Sequence, residues 1–247
     1  MQPIMTQIGL EIKSLRLYGL QIIISLWVMP ASYMMVIILG RPANGAVLAY
    51  ELTGFVAASL AGSLLSLLSA RVSNFMQPYV MELYATVPAT PLEIVAGQTL
   101  SYAALTLPQV LVAMILAAHL AGVGWHRSAP VGGSVLLAIA VLGAGGICLG
   151  LLIRNPFVAQ GVLPLMTWVL VLVSPAYYGV HAIPQWIRLV FAANPVTGVV
   201  TLLRWSVGMP TSFSPVHEAV YLGVLLVAMA GFTVLRLSRL YMLERLF

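Results

Sequence analysis

Long apolar stretches separated by short polar segments set the pattern of this chain. Between Arg16 and Arg41, and again between Glu51 and Arg71, it runs for about 20 residues or more without a formal charge. A helix of that length crosses a hydrocarbon core of about 30 Å. The pattern repeats, and it predicts six membrane-spanning helices, at about residues 18–40, 50–70, 92–120, 131–153, 157–175 and 217–237.

The composition supports this interpretation. Of 247 residues, 61% are hydrophobic and only 7% are charged, whereas an ordinary soluble domain has about 25% charged residues. The mean hydropathy is +1.03. The sequence therefore predicts an all-α polytopic membrane protein that forms a single domain over residues 1–247. A cleavable signal peptide is disfavoured, because the first apolar run, from Leu17 to Gly40, exceeds the roughly 7–15 residues of a signal-peptide core.

Positive charges indicate the orientation of these spans. The terminal side would hold Lys13, Arg16, Arg71, Arg154, Arg236, Arg239 and Arg245, and the other side Arg41, Arg127, Arg188 and Arg204. Because basic residues concentrate in cytoplasmic loops, this imbalance predicts that both termini are cytoplasmic. The net charge of +5 then reflects topology and attraction to anionic lipid headgroups in the bilayer, and no nucleic-acid partner is expected.

The first residues have the spacing of an amphipathic helix. Ile4, Ile8, Ile12 and Leu15 form one apolar stripe, which is typical of a helix lying in the membrane interface. The sequence therefore predicts an N-terminal interfacial helix that leads into the first span.

A polar segment, "MELYATVPATPLE" at residues 81–93, separates the second and third predicted spans. Pro78 suits the first turn of a short helix, which should end near Ala85 or Thr86, before Pro88. A solvated turn would explain the prolines but not the apolar side chains of this helix, Met81, Leu83 and Tyr84.

The start of the third span carries its own capping signal. Thr90 suits the N-cap, Pro91 the first helical position and Glu93 the third, which together make a capping box. The segment is thus predicted to be a rigid helix–turn–helix elbow on the cytoplasmic side.

A second irregular segment, residues 174–208, follows the fifth span on the outer side. Pro184 opens a helix that reaches about residue 193, and Asn194 caps a second one that runs from Pro195 to Gly208. Neither makes a complete span, since the first is short and the second carries Arg204, a costly charge in lipid. The pattern predicts two outer re-entrant half-helices between spans five and six.

Two of these segments resemble ABC-2 type transporter permeases. "MELYATVPATPLEIVAGQTL" resembles their cytoplasmic loop and third-helix start, although Val87 separates Thr86 from Pro88 where many members have Thr and Pro adjacent. "SPAYYGVHAIPQWIRLVFAANPVTGVVTLLR" resembles their outer region, with a Pro-x-Trp and an Asn-Pro-x-Thr that ends in Arg. The helix count and length are similar over essentially the whole chain.

This resemblance implies a membrane subunit of an ATP-driven exporter, in a prokaryotic-type inner membrane and paired with a second permease copy. The elbow would be a coupling helix that docks a separate P-loop ATPase subunit through Met81, Glu82, Leu83, Tyr84, Thr86, Pro88, Pro91 and Glu93. The chain has no Gly-x-x-x-x-Gly-Lys-Ser/Thr motif, so ATP and Mg²⁺ are expected on that partner, with no cofactor in this chain.

The cargo is expected to be amphipathic or lipid-linked, for example a drug or antibiotic, a lipid or a glycan. The path offers aromatic and aliphatic walls, which suit a molecule with an apolar part. Its candidate residues are Tyr33, Trp168, Tyr177, Tyr178, Trp186, Asn194 and Arg204. The aromatic ones would equally serve as interfacial anchors.

Two other classes compete with an ATP-driven permease. An ion-coupled secondary transporter would use Glu51 to bind a proton or sodium ion, although a carboxylate at the outer start of the second span also interacts favourably with the helix dipole. An enzyme would need His217 and Glu218, with the remaining histidines His119, His126 and His181. Tyr221 stands where a zinc-binding His-Glu-x-x-His motif requires histidine, so neither a metal site nor a catalytic residue is expected.

Overall fold

The structure is a computed structural model, and it describes residues 44–85, 89–124, 127–153, 155–179 and 184–244, with 24–28 and positions 9, 13, 31, 32, 35 and 39. The predicted interfacial helix and most of the first predicted span, including Tyr33, lie outside these residues. From that span, one short π-helical segment is described, Ile24–Val28.

All regular secondary structure in the described ranges is helical. The helices are α1 (Gly45–Phe75), α2 (Pro78–Ala85), α3 (Pro91–Leu120), α4 (Ser128–Leu152), α5 (Pro156–Val173), α6 (Gln185–Ala192), α7 (Pro195–Ser206) and α8 (Pro215–Glu244). Five of them, α1, α3, α4, α5 and α8, are long and apolar enough to cross a membrane. The prediction of an all-α polytopic membrane protein is confirmed.

The second predicted span is longer than expected. It was placed at residues 50–70, but α1 covers Gly45–Phe75. The Asn44 side chain accepts hydrogen bonds from the backbone N–H groups of Ala46 and Val47, at 2.8 and 3.1 Å. Because an asparagine in this role satisfies N–H groups that have no partner within the helix, the helix begins there.

Helix α1 lies at the centre of the bundle. Its apolar window is 89% buried, against 22% for α5 and 17% for α8, and it packs against α3, α4, α5 and α7. Within a membrane, such packing depends on close van der Waals contact between small residues. Gly146 of α4 provides one such contact, because a Cβ there would collide with the carbonyl oxygen of Leu64.

The bundle has two ends, named here by what they carry. The elbow end holds α2 and the end of α1, where Ser73 Oγ donates to the Ile153 carbonyl that follows α4. The cap end holds the start of α1, where a Cβ on Gly45 would lie 3.4 Å from the Leu120 carbonyl at the end of α3. Helices α1, α4 and α8 run from the cap end to the elbow end, and α3 and α5 run back.

Helices α6 and α7, which we call the cap, enter and leave the bundle at the cap end, with an 80° bend between them. At the bend, Asn194 Nδ2 donates to the Leu170 carbonyl at 2.7 Å, and Tyr221 Oη donates to the Ala193 carbonyl at 2.6 Å. Leu170 and Tyr221 lie one to two turns inside their helices, so the bend reaches about 6–9 Å below the cap end. The predicted re-entrant half-helices are therefore present.

Both predicted limits of this pair need small corrections. Pro184 precedes α6 rather than opening it, since its backbone is extended and its carbonyl accepts from Ile187 and Arg188 at 3.1 and 3.2 Å. Helix α7 ends at Ser206 rather than Gly208, because Gly208 adopts φ of 70°. The Met209 N–H then bonds to the Arg204 carbonyl at 3.0 Å, which closes the helix in a Schellman turn.

Candidate functional site

The first half of the elbow is the short helix α2, and it is fixed to the end of α1. Pro78 occupies its first position and Ala85 its last, as predicted. The Tyr84 ring meets the edge of Phe75 with centroids 5.3 Å apart and planes at 77°, a favourable aromatic geometry. Val80 and Tyr84 also pack against the buried core, so α2 has a defined place at the elbow end.

The second half of the elbow is the predicted capping box, which is confirmed. Glu93 accepts hydrogen bonds from the Thr90 N–H at 2.8 Å and the Thr90 hydroxyl at 2.9 Å, and the Glu93 N–H donates to Thr90 Oγ1 at 3.3 Å. Pro91 is the first residue of α3. Thr86 and Pro88, also predicted to contact a partner, lie outside the described residues.

The predicted contact residues of α2 differ in their exposure. Tyr84 faces inward and Met81 is half-buried, whereas Glu82 is exposed; the Leu83 side chain is outside the described part. Tyr79 is 66% exposed, and it was missed. Because Tyr79 and Glu82 are three residues apart, helical spacing places them on one face, opposite Val80 and Tyr84, and this signal was available in the sequence.

A cleft of about 540 Å³ lies beside Tyr79 at the elbow end. Asn74, Gln77 and Gln160 line it, together with Phe157, which is 84% exposed. The two large aromatic side chains and the amides around them form a surface with the mixed character of a protein-binding site. We call Tyr79, Glu82 and Phe157 the elbow surface.

At the cap end, Arg204 is the centre of a buried polar cluster that also contains Tyr50, Glu51 and Thr53, and we call it the cap cluster. The Arg204 side chain is 3% exposed. Its Nη1 donates to the Pro175 carbonyl at 2.7 Å, and its Nη2 donates to the Ala176 carbonyl at 2.6 Å. Its Nε donates to Thr53 Oγ1 at 3.3 Å. One guanidinium thus ties α7, α1 and the segment after α5 together, so it holds the cap in place.

Two neighbouring residues of α1 complete this cluster. The Arg204 Cζ lies 3.4 Å from the centroid of the Tyr50 ring, within the range of a cation–π interaction. The Tyr50 hydroxyl donates to the Tyr178 carbonyl at 2.7 Å. Glu51 is fully buried and interacts electrostatically with Arg204, so the two opposite charges compensate each other inside the bundle.

The predicted position of Glu51 is wrong. It was expected at the outer start of its span, where the helix dipole would stabilise it, but α1 begins at Gly45 and Glu51 is buried in its second turn. The dipole effect is confined to about the first turn. Arg204, brought close by α7, supplies the compensating charge instead.

The other predicted path residues fall into different environments. Tyr177 is buried and Tyr178 is half-buried, and the Tyr178 ring lies 6.2 Å from that of Phe191. Asn194 has a structural role, since its Oδ1 accepts from the Val196 N–H at 3.0 Å while its amide anchors α7 to α5. The tryptophans differ: Trp168 is half-buried on α5, and Trp186 is exposed on α6.

The histidine and glutamate pair considered for metal binding is in α8. Among the described residues, no group of three or more His, Cys, Asp or Glu side chains is placed to hold a metal ion. Glu218 is buried, and its Oε2 lies 2.9 Å from where a Cβ of Gly198 would be. It therefore packs against the backbone of α7, while His217 is exposed; His126 and His181 are outside the described ranges.

Comparison with known families gives one result over most of the chain. A model of the family described as ABC-2 type transporter matches residues 12–207. This range includes the elbow, the cap cluster and both half-helices. A comparison with curated proteins finds no match.

Proposed function

The chain belongs to the ABC-2 type transporter family, and on this premise we propose that it is the membrane-spanning subunit of an ATP-driven exporter. The observation that carries the proposal is the short helix α2 of the elbow, which packs on α1 through Tyr84 and presents Tyr79 and Glu82 at one end of the bundle. An exposed aromatic residue on a rigid support is typical of a protein-binding surface. The partner is a P-loop ATPase subunit, which supplies the ATP and Mg²⁺ chemistry.

The orientation follows from the positions of the basic residues. Arg71 lies near the elbow end of α1, and Arg236 lies near the same end of α8. The pattern of spans in the sequence predicts more basic residues on this side of the membrane than on the other. The elbow end and both termini are then cytoplasmic, and the cap end faces outward. This orientation in the cell membrane brings the elbow surface to a cytoplasmic ATPase.

A second copy of the permease completes the translocation unit in this proposal. Helices α5 and α8 bury only a small share of their apolar surface within one chain, and Leu165 and Val224 are among their exposed side chains. Such faces suit contact with lipid or with another subunit. A homodimer would enclose a path between two copies of the cap.

The cargo in this proposal is amphipathic or lipid-linked, and it moves outward. Arg204 donates to three protein acceptors, so we assign it to holding the cap rather than to binding an anionic solute. Trp168, Tyr177 and Tyr178 offer aromatic walls near the same end. Such walls suit a drug, a lipid or a glycan carrier, whose apolar part enters the membrane at low cost, whereas a bare charge costs several kcal/mol or more.

An ion-coupled secondary transporter is the alternative, with Glu51 as the ion-binding group. Its burial beside Arg204 argues against this role, because a carboxylate compensated by a guanidinium has less attraction for a cation. This alternative also gives no function to the elbow, and it does not explain why the chain belongs to the ABC-2 type transporter family.

The proposal is tested by purifying the tagged chain from its native membranes after labelling with 8-azido-ATP. We expect an azido-ATP-labelled polypeptide to co-purify with the wild-type chain. Tyr79→Asp should weaken its retention about 30-fold, since loss of a central aromatic contact costs about 2 kcal/mol or more.

Ser212→Asp is the matched control, because it adds the same charge to an exposed loop at the cap end, and it should retain the labelled polypeptide. If no nucleotide-binding polypeptide co-purifies with the wild-type chain, or if both variants behave alike, the proposal is wrong.

A further inference from the structure

We propose that the groove between α3 and α4 binds one acyl chain of an anionic phospholipid, with Arg127 holding the phosphate at its mouth. This site lies on the side of the bundle, and it concerns the bilayer rather than the transported cargo. Three features support it: the length of the groove, the chemistry of its walls and the position of one charge.

The groove has the dimensions of one leaflet. Its volume is about 550 Å³, within the roughly 300–1,000 Å³ of small-molecule sites. On α3 it extends from Leu107 to His119, which at 1.5 Å per residue is about 18 Å. Half of a hydrocarbon core is about 15 Å, so an acyl chain lying in the groove would span one leaflet.

The walls of the groove are alkyl side chains. Met114 and Val135 form its buried floor, while Leu111, Ile115 and Leu136 on its sides are exposed. Gly132 of α4 also lines it, and a Cβ there would meet no atom within 4 Å. Alkyl walls of this kind gain dispersion contacts from any apolar group that fills the groove, and a flexible hydrocarbon chain fits its length and shape.

The mouth of the groove is basic. Arg127 lines the groove at the cap end. Its Nη1 donates to the Trp205 carbonyl at 3.1 Å. The guanidinium also packs against Gly208, where a Cβ would lie 3.4 Å from Nη1. This bond holds the guanidinium in place and uses one of its five N–H donors. The others suit the oxygens of a phosphate, and the exposed His119 and Ser128 add two more hydrogen-bonding groups.

These features together select a phospholipid as the occupant. Basic pockets between transmembrane helices on the cytoplasmic side of membranes bind anionic lipid headgroups, and the same attraction between a guanidinium and a phosphate applies at the cap end. The positive mouth selects an anionic headgroup, and the apolar length below it selects an acyl chain. A second copy of this chain would need a complementary apolar ridge next to an acidic group, and its presence in the groove is one outcome of the test below.

The test uses native mass spectrometry of the full chain in a non-ionic detergent, with equal amounts of dioleoyl phosphatidylglycerol and dioleoyl phosphatidylcholine. We expect the wild-type chain to retain phosphatidylglycerol about fivefold better, which corresponds to about 1 kcal/mol for one basic residue at the membrane surface. Gly132→Leu should lose both bound lipids, because its side chain fills the groove.

Gly133→Leu is the matched control, since a Cβ at Gly133 would also meet no atom within 4 Å, but this residue does not line the groove. It should bind lipid as the wild type does. Equal lipid retention by both leucine variants would overturn the proposal, and this comparison is independent of any variant at Arg127.

The charge is tested separately. Arg127→Gln should abolish the preference for phosphatidylglycerol, whereas Arg188→Gln, which removes an equal charge from an exposed position on α6, should preserve it. Equal loss of preference in both variants would mean that net charge alone attracts the lipid, and it would overturn the proposal. A change in the number of subunits in Gly132→Leu would identify the groove as a subunit interface, and this result would also overturn the proposal.

Discussion

The cap cluster makes a quantitative prediction about Arg204, whose replacement by methionine keeps much of the side-chain length but removes every donor. The Pro175 and Ala176 carbonyls would lose short bonds of 2.7 and 2.6 Å to a charged group, each worth about 1.5 kcal/mol or more. Glu51 would also remain buried without its compensating charge. Breaking a buried charged network in this way typically costs about 3–5 kcal/mol, and we expect a destabilisation of that size.

The assay is equilibrium unfolding of the purified chain in mixed micelles with increasing sodium dodecyl sulfate. Arg188→Met removes the same kind of side chain from an exposed position on α6, so its free energy of unfolding should change by no more than about 0.5 kcal/mol. The comparison separates the loss of a buried network from the loss of one positive charge.

A double variant isolates the electrostatic part of this effect. Glu51→Gln removes the buried charge that Arg204→Met leaves uncompensated, so the two changes together should cost less than the sum of their separate costs, by at least about 1 kcal/mol. If Arg204→Met unfolds like the wild type, or if the two costs are strictly additive, the cluster does not hold the cap as described.

Two further predictions concern packing and topology. Gly146→Ala should destabilise the bundle by about 1–3 kcal/mol, because its Cβ collides with α1. Gly161→Ala is the control, since its Cβ meets nothing within 4 Å, and it should have little effect in the same unfolding assay. In a cysteine-free background, an impermeant thiol reagent should label Ala46→Cys in intact cells but Gln77→Cys only after permeabilisation; the reverse pattern would contradict the orientation proposed here.

Local signals in the sequence predicted much of the fold. Pro78, Thr90 and Glu93 act within a few residues of their own positions, and the helix starts predicted from them are confirmed. The same holds for Asn194, which caps α7. Proline at the first helical position and a polar N-cap have the same meaning in any fold, because they satisfy the helix's own N–H groups.

The cap cluster was not predictable in this way. Arg204 bonds to Thr53 across 151 residues, and no pattern in the sequence indicates that this arginine interacts with Glu51. Each residue was therefore interpreted alone, Glu51 through the helix dipole and Arg204 as part of a substrate path. Only the packing of α7 against α1 shows that they belong together.

The elbow shows a third situation, in which the sequence predicts a short helix but not which of its faces is exposed. Tyr84 and Tyr79 are both aromatic residues of α2, and only the former was predicted as a contact residue. The structure turns Tyr84 onto Phe75 and exposes Tyr79. In a helix of eight residues, the inner face is decided by the neighbouring helix, so composition alone does not identify it.

The central claim, that the elbow surface docks an ATPase, is tested most directly by photo-crosslinking in native membranes. A benzophenone amino acid placed at Tyr79 should form a crosslink to a polypeptide that mass spectrometry identifies as containing a P-loop. The same amino acid at Trp186, an exposed aromatic position on α6, should not. Crosslinks from position 79 only to lipid or to this chain itself, or the same ATPase crosslinked from both positions, would contradict the claim.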